Sequence, residues 1–256
     1  MITEKQIKLL SKKKKINESV IFREYTQLLF LQELYSHNKN IFFKGGTAIH
    51  LIWHSPRFSE DLDFTVEMKN EEFLKFIKKI FNELTKKEAI EFKERKSISG
   101  RRFLLTITSS IIPYKTFINL DFSFRENVLK PEKSIIETDS PVIFTTYIHH
   151  LSKEEVFAEK IRALFTRNKG RDIYDLWYLL NEGVSLNLEL VMEKLKYYHL
   201  ENISGKEILD KIKKFRKKDF VLDVRPFLPV NQRGKLESFF DYVQDYLERK
   251  LSFEHF

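Results

Sequence analysis

The chain has 256 residues, no cysteine, and a formal net charge of +8 with a pI near 9.3. Its 42% hydrophobic and 14% aromatic content supports a substantial core in one large or two small domains, while the missing thiols exclude disulfides and cysteine-held metals, leaving oxygen or histidine as ligands. No apolar run is long enough to span a bilayer and the first residues lack a signal-peptide stretch, so a cytoplasmic protein with no membrane partner is expected.

Ser19 to His37 repeats Ile21, Tyr25, Leu28, Leu31 and Tyr35 in steps of three and four, which predicts a helix. Asn40 to Phe43 is strand-like, and Thr47 to Trp53 has helical spacing of its apolar residues. Between them lies Lys44-Gly45-Gly46-Thr47. A strand, a glycine turn and a helix make a phosphate site, because glycine permits close backbone approach and the helix start favours an anion. Thr47 either caps that helix or binds phosphate. Arg57 and Ser59 follow; an arginine fork suits triphosphate oxygens, with turn chemistry after Pro56 as the alternative.

In Asp61-Leu62-Asp63-Phe64 the period of two places both carboxylates on one face of a strand and both apolar residues on the other. Two carboxylates that close repel unless a cation lies between them, and hard oxygens with open positions suit Mg²⁺ carrying a nucleotide's phosphates. Phe73, Phe76, Ile77, Ile80, Phe81 and Leu84 then mark the apolar stripe of a further helix. Arg102 to Thr108 and Phe117 to Phe124 read as strands separated by a turn at Pro113. In the second, Asn119, Asp121 and Ser123 share the face opposite Ile118, Leu120, Phe122 and Phe124. If it lies beside the acidic strand, Asp121 becomes a third ligand in a two-metal site and the candidate base; otherwise it is an ordinary exposed acid.

Asn127 to Pro141 reads as a polar connection, and from Ser152 onward the pattern is mostly helical, which sets a domain boundary near residue 150. Ser152-Lys153-Glu154-Glu155 is a capping-box start. Lys160 falls on or beside the apolar stripe of that helix, where it must snorkel or meet an anion; a phosphate is the preferred reading. Asp172 either caps the next helix or pairs with Lys160. The histidine pairs His50/His54 and His149/His150 lack further ligands and read as structural or surface residues. Basic residues gather in three runs, Lys12 to Lys15, Lys93 to Arg102 and Lys206 to Lys218, giving either solvated faces or a long polyanion track.

Lys44-Gly45-Gly46-Thr47-Ala48, Arg57-Phe58-Ser59-Glu60-Asp61-Leu62-Asp63-Phe64, Ala158-Glu159-Lys160-Ile161-Arg162-Ala163-Leu164 and Arg171-Asp172-Ile173-Tyr174-Asp175-Leu176-Trp177 resemble, in order, motifs of the AbiEii/AbiGii toxin family of nucleotidyltransferases, which includes the MenT toxins and belongs to the polymerase-β-like superfamily. The resemblance implies an α+β fold. Residues 1–150 would form a nucleotidyltransferase domain with an N-terminal helix and a mixed sheet flanked by helices, and 151–256 a helical domain that completes the active site. It implies transfer of a nucleotide from an NTP to RNA, typically the tRNA 3′ end, by a toxin countered by a cognate antitoxin.

The expected site has Asp61, Asp63 and Asp121 on two Mg²⁺ ions, Lys44, Gly45, Gly46, Thr47, Arg57, Ser59 and Lys160 on the nucleotide, and Asp63, Asp121, Lys160 and Asp172 in catalysis. Gly46 stands where the wider superfamily often has serine, so Thr47 would carry that hydroxyl role. Two other readings compete. Asp61-Leu62-Asp63-Phe64-Thr65 also fits the nucleophile motif of a haloacid-dehalogenase-like phosphatase, and a non-catalytic RNA-binding protein would keep the fold without the chemistry.

Overall fold

The computed structural model describes residues 2–37, 40–97, 100–113, 115–200 and 203–252, and the chain divides into two units, Met1–Leu151 and Ser152–Phe256. In the first unit Thr3 and Gln6 form a reciprocal capping box that opens α1 (Glu4–Lys14), and Lys12, Lys13 and Lys14 occupy its last turn, where cations complement the helix dipole. The first basic run is thus the end of a helix that the apolar pattern did not announce. α2 (Glu18–Tyr35) buries Ile21, Tyr25, Leu28, Leu31 and Tyr35, and adds Phe22, Phe30 and Leu34.

β1 (Ile41–Lys44), β2 (Leu62–Val66), β3 (Ile90–Arg95), β4 (Gly100–Ile107), β5 (Thr116–Ser123), β6 (Pro131–Ser134) and β7 (Ile148–Leu151) form one mixed sheet in the order β3-β4-β5-β2-β1-β7-β6. β2 runs parallel to β5 and β1 parallel to β7, and the remaining neighbours are antiparallel. The segment read as a polar connection therefore contains β6, a mostly exposed edge strand. His150, in the unexpected β7, is fully buried, with Nδ1 2.7 Å from the Leu151 carbonyl and Nε2 2.9 Å from Ser134 Oγ. Burial depresses its pKa below the ordinary histidine value.

One face of this sheet is a phenylalanine core. Phe64 stacks on Phe122 at 4.8 Å between ring centres and lies 6.2 Å from Phe30 of α2. From α4 (Asn70–Lys87), Phe73 approaches Phe122 at 4.8 Å and Phe81 stacks on Phe92 at 3.8 Å. Each fully buried ring contributes about 1.5–3 kcal/mol, so this face holds the strands in register. The opposite face is charged. Lys44 pairs with Asp63, Asp63 with Asp121, Asp121 with Arg102, and Arg102 with Arg95. Directly opposed residues share a face, so these five form one row across β1, β2, β5, β4 and β3.

The described part of the second unit is helical: α5 (Lys153–Thr166), α6 (Gly170–Asn181), α7 (Leu188–Lys196), α8 (Gly205–Lys213), α9 (Lys217–Val224) and α10 (Leu236–Ser252), with two short 3-10 turns between the last two. Ser152 Oγ accepts from the Glu155 amide at 3.2 Å, as the cap predicts. The reciprocal half of the box yields to another contact, because the Glu155 carboxylate lies 2.6 Å from the Lys194 ammonium. Among the described residues no helix is long and apolar enough to cross a membrane.

Candidate active site

The glycine turn is shaped around an acid. Gly45 has φ +79°, a left-handed conformation that side chains disfavour, and a methyl group there would collide with the Asp63 carboxylate. A methyl on Gly46 would stand 2.5 Å from Arg57 Nη2 and 3.0 Å from Ser59 Oγ. Backbone bareness at these two positions therefore brings Asp63, Arg57 and Ser59 onto one turn. Thr47 is fully buried and its hydroxyl donates to the Asp61 carbonyl, which ties α3 (Gly45–Leu51) to the start of β2. It lies inside that helix and is not its cap.

α2 holds the approach to β2 from the side. Gln27 Nε2 donates to the Ser59 and Glu60 carbonyls at 3.1 and 2.9 Å, and Arg23 Nη1 meets Glu60 at 2.8 Å. Arg57 is buried and donates through Nη1 to the Phe58 carbonyl at 3.0 Å. His50 bridges the Ser55 carbonyl at 2.6 Å and Glu24 at 2.9 Å, so it is a structural residue. Lys44, expected on a nucleotide, is buried with its ammonium 3.4 Å from the buried Glu126 carboxylate. Sequence reasoning had no handle on Glu126, which stands far from Lys44 along the chain.

Parallel pairing of β2 with β5 sets Asp-x-Asp against Asn-x-Asp. Asp63 lies opposite Asp121, and Asn119 Nδ2 donates to Asp61 Oδ1 at 2.9 Å. The matching spacing of the two motifs was a signal for Asn119. Asp121 has a further partner: its Oδ1 accepts from Arg102 Nε, a residue the sequence placed in a basic run. The Asp121 hydrogen bond pushes the Arg102 pKa up against burial, and Asp61 and Asp63 add to the effect.

In the helical unit Lys160 is buried with its ammonium 2.9 Å from Asp172 Oδ1 and 2.7 Å from Asp175 Oδ2. Arg167 closes a fork on Asp172, Nε to Oδ2 at 2.8 Å and Nη2 to Oδ1 at 2.9 Å. Burial favours the protonated acid, but Lys160 and Arg167 overcome it and hold the Asp172 carboxyl far below the usual range. Lys160 thus meets an anion as its stripe position required; that anion is carboxylate. Asp172 sits in the first turn of α6 with Lys169 as its N-cap, so it pairs with Lys160 and does not cap.

The model of the AbiEii family, described as a nucleotidyl transferase AbiEii toxin of a type IV toxin–antitoxin system, matches residues 29–248. The chain belongs to this family. Solved structures share the fold: JHP933 from Helicobacter pylori is 22% identical with a TM-score of 0.62, over 93% of this chain and 95% of that one. MenT4, a nucleotidyltransferase toxin from Mycobacterium tuberculosis, is 17% identical with a TM-score of 0.66, over 96% of this chain and 90% of that one. Among curated proteins none matches this chain.

This AbiEii protein is a nucleotidyltransferase, which removes the phosphatase and non-catalytic readings. Thr65, the third position of the phosphatase motif, is fully buried inside β2. Among the described residues no three carboxylate or histidine side chains are grouped to hold a metal together. Of the three acids expected to share a metal, Asp121 has one oxygen engaged by Arg102. A pair still suits the smaller hard cation, since Mg²⁺ is commonly held by one or two carboxylates with substrate phosphates and water completing the shell. Asp61 and Asp63 flank Leu62 at the start of β2, and the bare turn at Gly45 leaves room for the second carboxylate.

Proposed function

We propose that this AbiEii nucleotidyltransferase moves a nucleoside monophosphate from an NTP to a hydroxyl of an RNA acceptor, the 3′ end of tRNA, and that it acts as a toxin restrained by a cognate antitoxin. The observation that carries the reading is the seat of Asp63 on the Gly45–Gly46 turn, with Arg57 and Ser59 against the second glycine. The name of the fold relative MenT4, a nucleotidyltransferase toxin, supports the toxin assignment.

Asp61 and Asp63 would hold Mg²⁺, and a second ion would require Asp121 to leave Arg102. When bound, the ion supplies charge neutralisation on the transferring phosphate and the leaving pyrophosphate. The chain's own groups do the positioning. The amide-rich turn approaches the triphosphate closely because Gly45 and Gly46 carry no side chain, and the Ser59 hydroxyl is a donor beside it. Arg57 braces the segment entering β2 from within. Asn119 fixes the Asp61 carboxylate through one oxygen, leaving the other for a ligand.

Purified protein incubated with total tRNA, Mg²⁺ and each labelled NTP in turn tests this, with Asp63→Ala alongside. Label should enter RNA with at least one nucleotide and fall to background in the variant, whose circular dichroism stays unchanged because a half-exposed ligand is lost and no packing. Equal labelling by both proteins, or none from folded wild type with any nucleotide, overturns it.

A further inference from the structure

Two arginines stand side by side at the end of the charged row. Arg95 is directly opposite Arg102 in the β3–β4 pair, and like charges so placed destabilise a sheet. Arg102 uses only its Nε, on Asp121, and its side chain remains 48% exposed. Its Nη groups have no partner among the described residues, and neither has the exposed Arg95 side chain. A guanidinium has five donors in a planar fork. Anchoring through Nε leaves the outer edge of that fork free, which is the edge that grips phosphate oxygens in pairs. A carboxylate that spends an oxygen on an arginine is also poorly placed to ligate a metal or take a proton at that atom.

We propose that Asp121 is the positioning residue of Arg102, and that Arg102 and Arg95 form a phosphate subsite bordering the Asp61–Asp63 pair. The inference rests on the nucleotidyl-transfer reading of that site, and it replaces the metal and base roles expected of Asp121. The opposed cations are then explained by the anion they share. That anion is a phosphate group of the NTP or of the RNA acceptor backbone; both present the same chemistry.

Two arms of an experiment separate the sources and keep the subsite distinct from the reaction. In the first, binding of inorganic tripolyphosphate and of single-stranded RNA is measured by calorimetry without Mg²⁺ for wild type, Arg102→Ala, Arg95→Ala and Asp121→Asn. Arg102→Ala should weaken one of the two probes by about tenfold, and which one names the source. Asp121→Asn, whose amide oxygen still accepts from Nε, should weaken the same probe by a smaller factor. Neither probe changing in Arg102→Ala overturns the subsite.

In the second arm, labelled transfer is followed in the same variants. Arg102→Ala should raise the KM of the matching substrate about tenfold with a smaller change in kcat, and Arg102→Lys should rescue it only in part, since an ammonium lacks the fork. Asp121→Asn should shift that KM in the same direction, with kcat within about fivefold of wild type. A collapse of kcat in Asp121→Asn equal to that in Asp63→Ala makes Asp121 a ligand or base and overturns the positioning role. Should wild type fail to label RNA, the transfer reading fails while the calorimetric arm still decides the subsite.

Discussion

Gly45 and Asp63 are a pair in which one residue's missing side chain makes the other's position possible. The left-handed φ of Gly45 costs an L-residue about 1–3 kcal/mol, and a methyl there displaces the Asp63 carboxylate as well. Gly45→Ala is therefore expected to lower stability by about that amount and to abolish nucleotide transfer, measured by thermal unfolding and label incorporation. Gly46→Ala, with no such φ, meets only the Arg57 and Ser59 side-chain ends, so its loss of stability should be the smaller of the two. At this scale the acidic pair and the glycine turn were legible because each is a local pattern: two residues apart for the acids, adjacent for the glycines. Arg102, Glu126 and Asn119 reach the site through strand register and loop closure, and register between β4, β5 and β2 is a property of pairing that no single segment encodes. Arg102 in particular looked like part of a basic run, since its carboxylate partner is on another strand.

α5 carries ion pairs on two sides, and its stability follows from them. Lys160 faces Asp172 and Asp175 of α6, and Lys194 of α7, fully buried, lies 2.6 Å from Glu155 and 3.3 Å from Glu159. Removing one charge from such a group leaves the others buried without compensation, at a cost of about 3–5 kcal/mol. Lys194→Met should show that loss in urea unfolding, whereas Lys213→Met, whose half-exposed ammonium is 3.4 Å from Glu248, should lose less than about 1 kcal/mol. Acid titration adds a second check. The folded Asp172 carboxyl binds its proton far less readily than an ordinary aspartate with a pKa of 3.8, so the unfolded chain takes up more protons as pH drops through that value. Its contribution is complete above about pH 4 and lost progressively below; the unfolding midpoint of Asp172→Asn should fall less steeply from pH 4 to pH 2 than that of wild type. The helices α2, α4, α5 and α6 were readable from apolar stripes. β6 and β7 were not, since four residues of mostly polar or histidine character give no alternation to read.

Charge at the level of the whole chain is distributed differently from its sequence clusters. Of the run Lys12 to Lys15, Lys13 binds Asp139 at 2.8 Å and Lys14 binds Glu24. Arg101 meets Glu94 at 2.8 Å, and Lys213, Arg216 and Lys217 meet Glu248, Asp219 and Asp241. Each run is thus partly neutralised by acids of its own unit. Lys75, Lys78 and Lys79 on α4 formed no cluster in the sequence reading, yet they are exposed and have no acidic partner among the described residues. The spacings of three and four set them on one helical face. Affinity for a polyanion depends on salt through the phosphates it neutralises, and net charge alone does not set that slope. Binding of single-stranded polyuridine, titrated from low to moderate salt, should therefore respond most to the unpaired lysines. The triple variant Lys75→Gln, Lys78→Gln, Lys79→Gln is expected to flatten the plot of log affinity against log salt by about 2, at roughly 0.7 per lost phosphate contact. Lys213→Gln, Arg216→Gln, Lys217→Gln removes the same formal charge and should change the slope by less than about 1, because those cations are already engaged. A slope untouched by the α4 variant would show that the polyanion is held by other cations.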